Sequence, residues 1–451
     1  MCNISIPFGA NEIINTLHGA GFEAYIVGGC VRDSLLGIQP SDWDICTSAK
    51  PSEVIQCFPD NRIIETGLKH GTVTIVMFDM RYEVTTFRLD GKYSDHRRPD
   101  SVQFVTNLEK DLSRRDFTMN AMAYNYERGL IDPFGGATAL KNGTIAAVGD
   151  PMKRFREDAL RMMRALRFAA NYGFFIDEVT ASAIHSYAPA LNDIAVERIN
   201  SELCKLLLSE SESILYVLTE FSDVIATIIP ELQPCIGFNQ NNRFHQYTVY
   251  DHIAHAVSNY TGFDLSVKIA LLLHDIGKPL CYTEDQNGGH FYGHGVFSHD
   301  LAAQVMDRLR FDNDRKREVL ELVLYHDSVI EPTPKVVRRW LNKIGEKRFR
   351  QLLSIRMADI KAHAEGTQES RIERCSALGD ILNDIIAQEQ CFSMKDLAIN
   401  GNDVMSLGIH QGKSVGKVLR HVLNKVINGE LHNEKFELIQ EAQRYIKEVF
   451  L

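Results

Sequence analysis

The chain has 451 residues, 45% hydrophobic and 24% charged, a length that allows two to four domains and a sizeable core. No apolar run approaches the roughly 20 residues of a membrane span, and residues 1–10 lack the basic and apolar regions of a signal peptide. Nine scattered cysteines without a Cys-x-x-Cys pair point to reduced thiols in a cytoplasm, and a net charge of −10 excludes a uniformly basic coat while leaving room for one basic face.

Residues 11–20 are predicted to form a short helix. Tyr25, Ile26 and Val27 then read as a buried strand, stopped by Gly28 and Gly29. Residues 31–36 have helical spacing, with Gly37 where a helix end favours positive φ. A second strand-like run, residues 43–46, carries Asp42 and Asp44. Side chains two apart on a strand share a face, so the two carboxylates converge. Hard oxygen ligands of this kind suit Mg²⁺, and the glycine pair opens a helix N-terminus that favours a phosphate. Alone, an Asp-x-Asp or a Gly-Gly is turn chemistry more often than a site. Together they read as a nucleotide site.

Joined at this spacing, with Arg32 and Asp33 between, the pattern resembles the opening motif of the nucleotidyltransferase superfamily. It is closer still to the class II tRNA nucleotidyltransferase and bacterial poly(A) polymerase family. Residues 52–57 continue as a helix after Pro51, and residues 62–65, 72–78 and 82–88 as strands. The last places Glu83 where a third carboxylate could meet Asp42 and Asp44, or could simply be exposed. The match of residues 83–88 to the family strand after the metal pair implies the catalytic role. Residues 89–111 are polar and read mostly as a mobile loop. Arg114-Arg115-Asp116-Phe117-Thr118 with Asn120-Ala121 resembles the family's second motif, which implies Arg115 on the triphosphate and Asp116 orienting it or the ribose. Asp132 to Gly136 is similar to a hinge motif. Residues 148–170 read as one strong helix with a polar stripe of Glu157, Asp158, Arg161, Arg164 and Arg167. That stripe fits a salt-bridged, solvated face, but resemblance makes it the nucleotide-selecting helix, with Asp158 and Arg161 side by side. Glu197-Arg198-Ile199 resembles a weaker supporting motif.

Eight of the 16 histidines fall between His245 and His326. His274-Asp275 with residues 276–278 resembles the centre of HD-domain phosphohydrolases. The resemblance implies a transition metal (Ni²⁺, Co²⁺, Mn²⁺ or Zn²⁺) held by His274, Asp275 and some of His252, His294, His299 and His326, with Asp359 as a distant closing ligand. Residues 335–350 are basic and helical, suited to phosphate contacts or to plain solvated faces. Residues 392–451, with Gly408, Gly412 and Gly416 among lysines, resemble a tail that lies along RNA.

The fold expected is α+β: a nucleotidyltransferase head with a mixed sheet (1–145), a helical neck (146–210), an HD-type helical body (211–360) and a helical tail (361–451). The family resemblance implies template-independent addition of CTP and ATP to the 3′ end of tRNA, with Mg²⁺ at Asp42 and Asp44. Gly28, Gly29 and Arg32 would share the nucleotide, and no membrane partner is implied. CC-only, A-only and poly(A) products stay open, as do an HD-type phosphohydrolase, a silent RNA-binding scaffold and the oligomeric state.

Overall fold

The computed structural model describes residues 3–91, 101–286 and 288–450. It divides into two compact units, Met1–Gln233 with Arg308–Arg310, and Pro234–Asp307 with Phe311–Leu451. The first unit opens with α1 (Phe8–Gly19), β1 (Ala24–Val27), α2 (Gly29–Leu35), β2 (Ile45–Thr47) and α3 (Pro51–Cys57). Then come β3 (Arg62–Ile64), β4 (Thr72–Met77), β5 (Met80–Thr86), β6 (Arg88–Asp90), β7 (Val102–Phe104) and α4 (Leu108–Ser113). β8 (Ala123–Asn125), β9 (Gly129–Ile131) and α5 (Gly136–Lys141) follow. Seven strands make a mixed sheet in the order β3-β4-β5-β2-β1-β8-β9, in which only β2 and β5 are parallel neighbours. The apolar run of β1 is buried along its whole length, as a central strand requires. Tyr25 and Val27 pack there with Cys46, Phe87, Leu112 and Val148.

Two expectations for this region shift. β2 begins only at Ile45, so Asp42 and Asp44 stand in the segment leading into it. The Asp44 carbonyl still accepts from the Val27 N–H at 3.0 Å, which holds that segment against β1. Residues 89–111 are not all loop either. β6 pairs antiparallel with β7, Arg88 opposite Phe104, and Asn107 caps α4 by accepting from the Lys110 N–H. Residues 92–100, with Arg97 and Arg98, lie outside the described residues.

The unit continues through β10 (Thr144–Ile145), α6 (Pro151–Glu157), α7 (Leu160–Tyr172), β11 (Phe175–Ile176), α8 (Glu178–Tyr187), α9 (Val196–Leu207), α10 (Ser211–Glu220) and α11 (Ser222–Ile228). The single helix expected over 148–170 is therefore two. Asp158 is extended (φ −147°, ψ 104°), and its carboxylate accepts from the Leu160 N–H at 3.1 Å. Aspartate competes for backbone donors in this way, which disfavours it inside helices and suits it to their starts. Asp158 and Arg161 thus do not share one helix face.

The second unit contains α12 (Val249–Asn259), α13 (Leu265–Leu273), β12 (Thr283–Asp285), β13 (Gly288–His290), α14 (His294–Arg308), α15 (Asn313–Tyr325), α16 (Pro334–Lys361) and α17 (Glu369–Ala387). α16 is broken at Gly345, whose φ is 78°. Last come α18 (Gly401–Met405), α19 (Lys413–Ile427) and α20 (Lys435–Val449), which close on their own core around Val404, Val422 and Leu438. The arginines of the basic stretch are engaged within the unit. Arg338 donates to the Ile427 carbonyl and to Gln390, and Arg339 to Asn428. Among the described residues no helix is long and apolar enough to cross a membrane.

Head and neck residues are stitched together by arginines. Arg154 donates to the Ser113 carbonyl at 3.0 Å, Arg161 to the Arg114 carbonyl at 3.1 Å, and Arg164 to Asp116 at 2.7 and 2.9 Å. Burial opposes the charge on Asp116, but Arg164 and the Asn120 amide outweigh it and hold the carboxyl well below its usual range. A carboxyl lowered in the folded state stabilises fully above its unfolded value, about 3.9, and loses that contribution as pH falls. Arg164 is a third exposed, so solvent screening reduces what the pair is worth. Asp116→Asn should cost about 1–3 kcal/mol at pH 7. Urea unfolding should show the gap to the parent narrowing between pH 5 and pH 3. A gap of constant size would count against charge pairing.

Candidate active site and histidine cluster

The parallel register that sets Ile45 beside Val84 brings the preceding residues, Asp44 and Glu83, level on neighbouring chains. Asp42, Asp44 and Glu83 are all exposed. The Asp44 carboxyl is nevertheless raised from its ordinary value. Protein packed around it is the leading cause, Arg115 opposes, and the charges of Glu83 and then Asp42 add. Two negative neighbours thus act on Asp44 against one positive one. The three carboxylates do not all come within 4.8 Å of one another. Their donor type and surplus charge fit a hard divalent cation.

Gly28 has φ 80°, and a Cβ placed on it would lie 2.7 Å from Arg115 Nη1. A Cβ on Gly29 would lie 3.6 Å from Arg32 Nη2. Two guanidinium groups therefore flank the glycine pair, a setting suited to phosphate oxygens. They are not equivalent. Arg32 is buried, donates to Asn120 Oδ1 at 2.7 Å and Asp33 Oδ1 at 2.8 Å, and stacks against Tyr172 and Phe168. Arg115 keeps one long ion pair, to Asp111 at 3.7 Å, and its Nε lacks a hydrogen-bond partner. Arg115 is the more available of the two.

The remaining residues expected from the sequence to meet the nucleotide are already partnered. Glu157 accepts from Arg154 at 2.6 Å and Arg161 at 2.8 Å. Arg161 is buried and also donates to two backbone carbonyls. Asp158 pairs with Arg198 at 2.8 Å, and Arg167 with Glu202 at 2.6 Å. Asn120, quoted in the motif without a role, links Asp116 to Arg32.

In the second unit five helix ends converge on Asp275, which is buried. His252 Nε2 lies 2.8 Å from Asp359 Oδ1 and 3.4 Å from Asp275 Oδ2, with His274 Nε2 3.2 Å from the same Asp275 oxygen. His294 and His326 approach Asp275 Oδ1 at 3.2 and 3.6 Å. His299 is not among them. It pairs with the neighbouring Asp300 at 2.9 Å, away from the cluster. His363 and Lys278 join it unforeseen. His363 follows Asp359 by four residues, one helical turn, so its spacing offered a signal. Lys278 Nζ lies 2.7 Å from Asp275 Oδ2. Burial opposes charge at this centre, yet His274 and Lys278 hold the Asp275 carboxyl well below its usual range. Apart from the Lys278 ion pair, neither Asp275 oxygen has a well-aligned hydrogen bond, and His274 Nε2 lacks one as well. Such a set of imidazoles and carboxylates fits a transition metal. A cavity of about 770 Å³ opens on Asp275, His294 and His326, lined also by Arg243, Tyr292 and Arg371.

Residues 24–146 match the poly A polymerase head domain family, residues 173–236 the probable RNA- and SrmB-binding site of polymerase A, and residues 296–442 the tRNA nucleotidyltransferase domain 2 family. The chain is 37% identical to the CCA-adding enzyme of Geobacillus sp. (strain WCH70) over 426 residues, 94% of this chain and 93% of the other. It is 34% identical to the CCA-adding enzyme of Limosilactobacillus reuteri (strain DSM 20016) over 443 residues, 97% of each. Its fold is similar to the crystal structure of the Bacillus stearothermophilus CCA-adding enzyme in complex with CTP. There the TM-score is 0.72 and the identity 30%, with 98% of this chain and 97% of that one covered. With relatives this similar along nearly the whole of both chains, the protein belongs to the family of CCA-adding enzymes.

Proposed function

We propose that the chain is a CCA-adding tRNA nucleotidyltransferase, a cytoplasmic enzyme that joins CTP and ATP to the 3′ end of tRNA without a nucleic-acid template. The observation that carries the reading is that Asp42, Asp44 and Glu83 stand at the edge of the β2–β5 pair while Arg115, whose charge acts on Asp44, flanks the glycine pair after β1. In the reaction the terminal 3′ oxygen bonds to the α-phosphorus, the α–β anhydride bond breaks, and pyrophosphate leaves. Asp42 and Asp44, with Glu83, would hold Mg²⁺, which supplies charge neutralisation on the leaving group and a lower pKa for the attacking hydroxyl. Arg115 receives phosphate oxygens over Gly28. Asp116 positions Asn120, and through it Arg32. The RNA lies against the tail.

The product is read by giving the purified protein tRNAs that end before CCA, after C and after CC, with each labelled nucleotide in turn. Extension of all three to a full CCA end is expected. Stopping at CC, adding only A, or a long A tract would assign one of the sister activities instead.

The body supports a second reading. Buried Asp275 oxygens without well-aligned hydrogen bonds, ringed by imidazoles, favour a Ni²⁺, Co²⁺, Mn²⁺ or Zn²⁺ ion at His252, His274, Asp275 and Asp359. Any phosphohydrolase activity housed there should respond to those ions and survive Asp42→Ala.

Replacing Asp44 by Ala should leave the fold intact, or slightly firmer without metal, because it relieves like-charge crowding. Incorporation should fall by orders of magnitude. Near-parental incorporation would refute the metal role. For selection, Asp158 offers an acceptor and Arg161 a donor, with Glu157 steadying the arginine. Cytosine and adenine each present an amine beside a ring acceptor, so both match. Uracil and guanine would leave polar groups unpaired, at roughly 1–3 kcal/mol per contact. To read a base Asp158 must exchange Arg198 for it. Asp158→Ala should therefore lose discrimination against UTP and GTP more than affinity for triphosphate. Kinetics with all four nucleotides decide it, and an Asp158→Ala enzyme that excludes UTP as well as the parent would sink the pairing.

A further inference from the structure

α4 buries Leu108 and Leu112 in the head core, and Asp111 lies between them in the sequence, fully out of solvent. A carboxylate in that position has to be met by donors or by cations. Its two oxygens are met unequally. Oδ1 accepts from the Arg88 N–H at 3.2 Å and from Arg114 at 2.8 and 3.0 Å. Oδ2 accepts no hydrogen bond, and the Arg115 guanidinium stands 3.7 Å from it.

Arg115 is divided in the same way. Nη1 is the atom 2.7 Å from where a Cβ on Gly28 would sit, Nη2 is the atom nearest Asp111, and Nε has no partner. One nitrogen is thus offered at the glycine pair while the other is drawn to a buried carboxylate. Arg115 also acts on the Asp44 carboxyl, whose charge it favours. Two acids therefore compete for one cation. Asp44 is exposed, whereas water is excluded from Asp111, and attraction between charges is stronger where water does not screen it. The buried acid wins. An arginine captured by Asp44 would leave the glycines and fill the place of a metal ion.

We propose that Asp111 is a positioning residue for nucleotide addition. Its Oδ2 holds the Arg115 guanidinium over the glycine pair, where the triphosphate arrives, and off the carboxylates of Asp42, Asp44 and Glu83. This rests on the reading that Arg115 receives phosphate oxygens. Oδ1 serves the fold by fixing Arg114 and the start of β6, and Oδ2 serves the site. Asparagine can keep the first role but not the second, because its amide nitrogen would meet a guanidinium that only donates.

The test is a double-mutant cycle on the full-length chain, read as CTP binding by calorimetry with Mg²⁺ and without tRNA, so that no transfer takes place. Asp111→Asn, Arg115→Ala and the double variant are compared with the parent, each checked for a single unfolding transition in urea. Asp111→Asn should bind CTP and inorganic triphosphate roughly tenfold more weakly, because the loss concerns phosphate and not base. In the Arg115→Ala background the same substitution should change affinity by less than about twofold, while its effect on the unfolding midpoint persists through Arg88 and Arg114. The Mg²⁺ needed for half-maximal binding should rise in Asp111→Asn and return in the double variant, where no arginine competes for the carboxylates. Equal weakening of CTP with and without Arg115 would reduce Asp111 to a structural role. Parental affinity in Asp111→Asn would overturn the proposal outright, and an unmoved Mg²⁺ requirement would overturn its second half. Parental affinity in Arg115→Ala would overturn the phosphate reading itself. Should Asp111→Asn fail to fold, Asp111→Glu, which keeps the charge but displaces it by one carbon, goes through the same cycle and is judged by the same outcomes.

Discussion

A carboxylate taken out of water must be met by a cation or by several donors, and Asp116 is met by both. Its oxygens accept from two nitrogens of Arg164, from the Asn120 amide and from the Phe117 N–H. One residue thereby anchors α7, sets the side chain that holds Arg32, and fixes the turn after Arg115. Once α7 is seated, Arg161 reaches back to the Arg114 carbonyl and Glu157 gathers two arginines. The residues assigned to phosphate and those assigned to base are thus linked through one ion pair. Nucleotide chemistry needs them held at fixed separation, and long-range hydrogen bonds supply that more rigidly than chain connectivity does.

Much of the head was legible because its signals are local. An apolar run closed by two glycines, then a capped helix, has few other folds to adopt, and the α+β class follows. What was not legible depended on single residues acting against a pattern. The helical period runs through residues 148–170 without interruption, so only the extended backbone at Asp158 reveals two helices. Asp42 and Asp44 alternate as a strand would, yet pairing begins one residue later. In the body, residue type alone could not separate the histidines. His299 shares α14 with His294, but five residues turn the helix by about 140° and carry it to another side. His363 stands one turn beyond Asp359, within reach of the same carboxylate.

The two centres differ in the chemistry of their donors. The head offers exposed carboxylate oxygens, hard ligands that leave an ion most of its water. The body offers buried imidazoles, softer ligands around a carboxylate from which water is largely excluded.

The glycine pair has a consequence for how relatives of this chain can vary. At position 28 the backbone angle, φ 80°, is one that side chains rarely adopt, and a first side-chain carbon would also push the Arg115 guanidinium, 2.7 Å away, off the glycine pair. At position 29 neither applies, since the angle is ordinary helix and the nearest atom, at 3.6 Å, is at van der Waals distance. Alanine or serine is sterically admissible at the second position and glycine alone at the first. Of the two glycines, the first is therefore the one that this backbone requires.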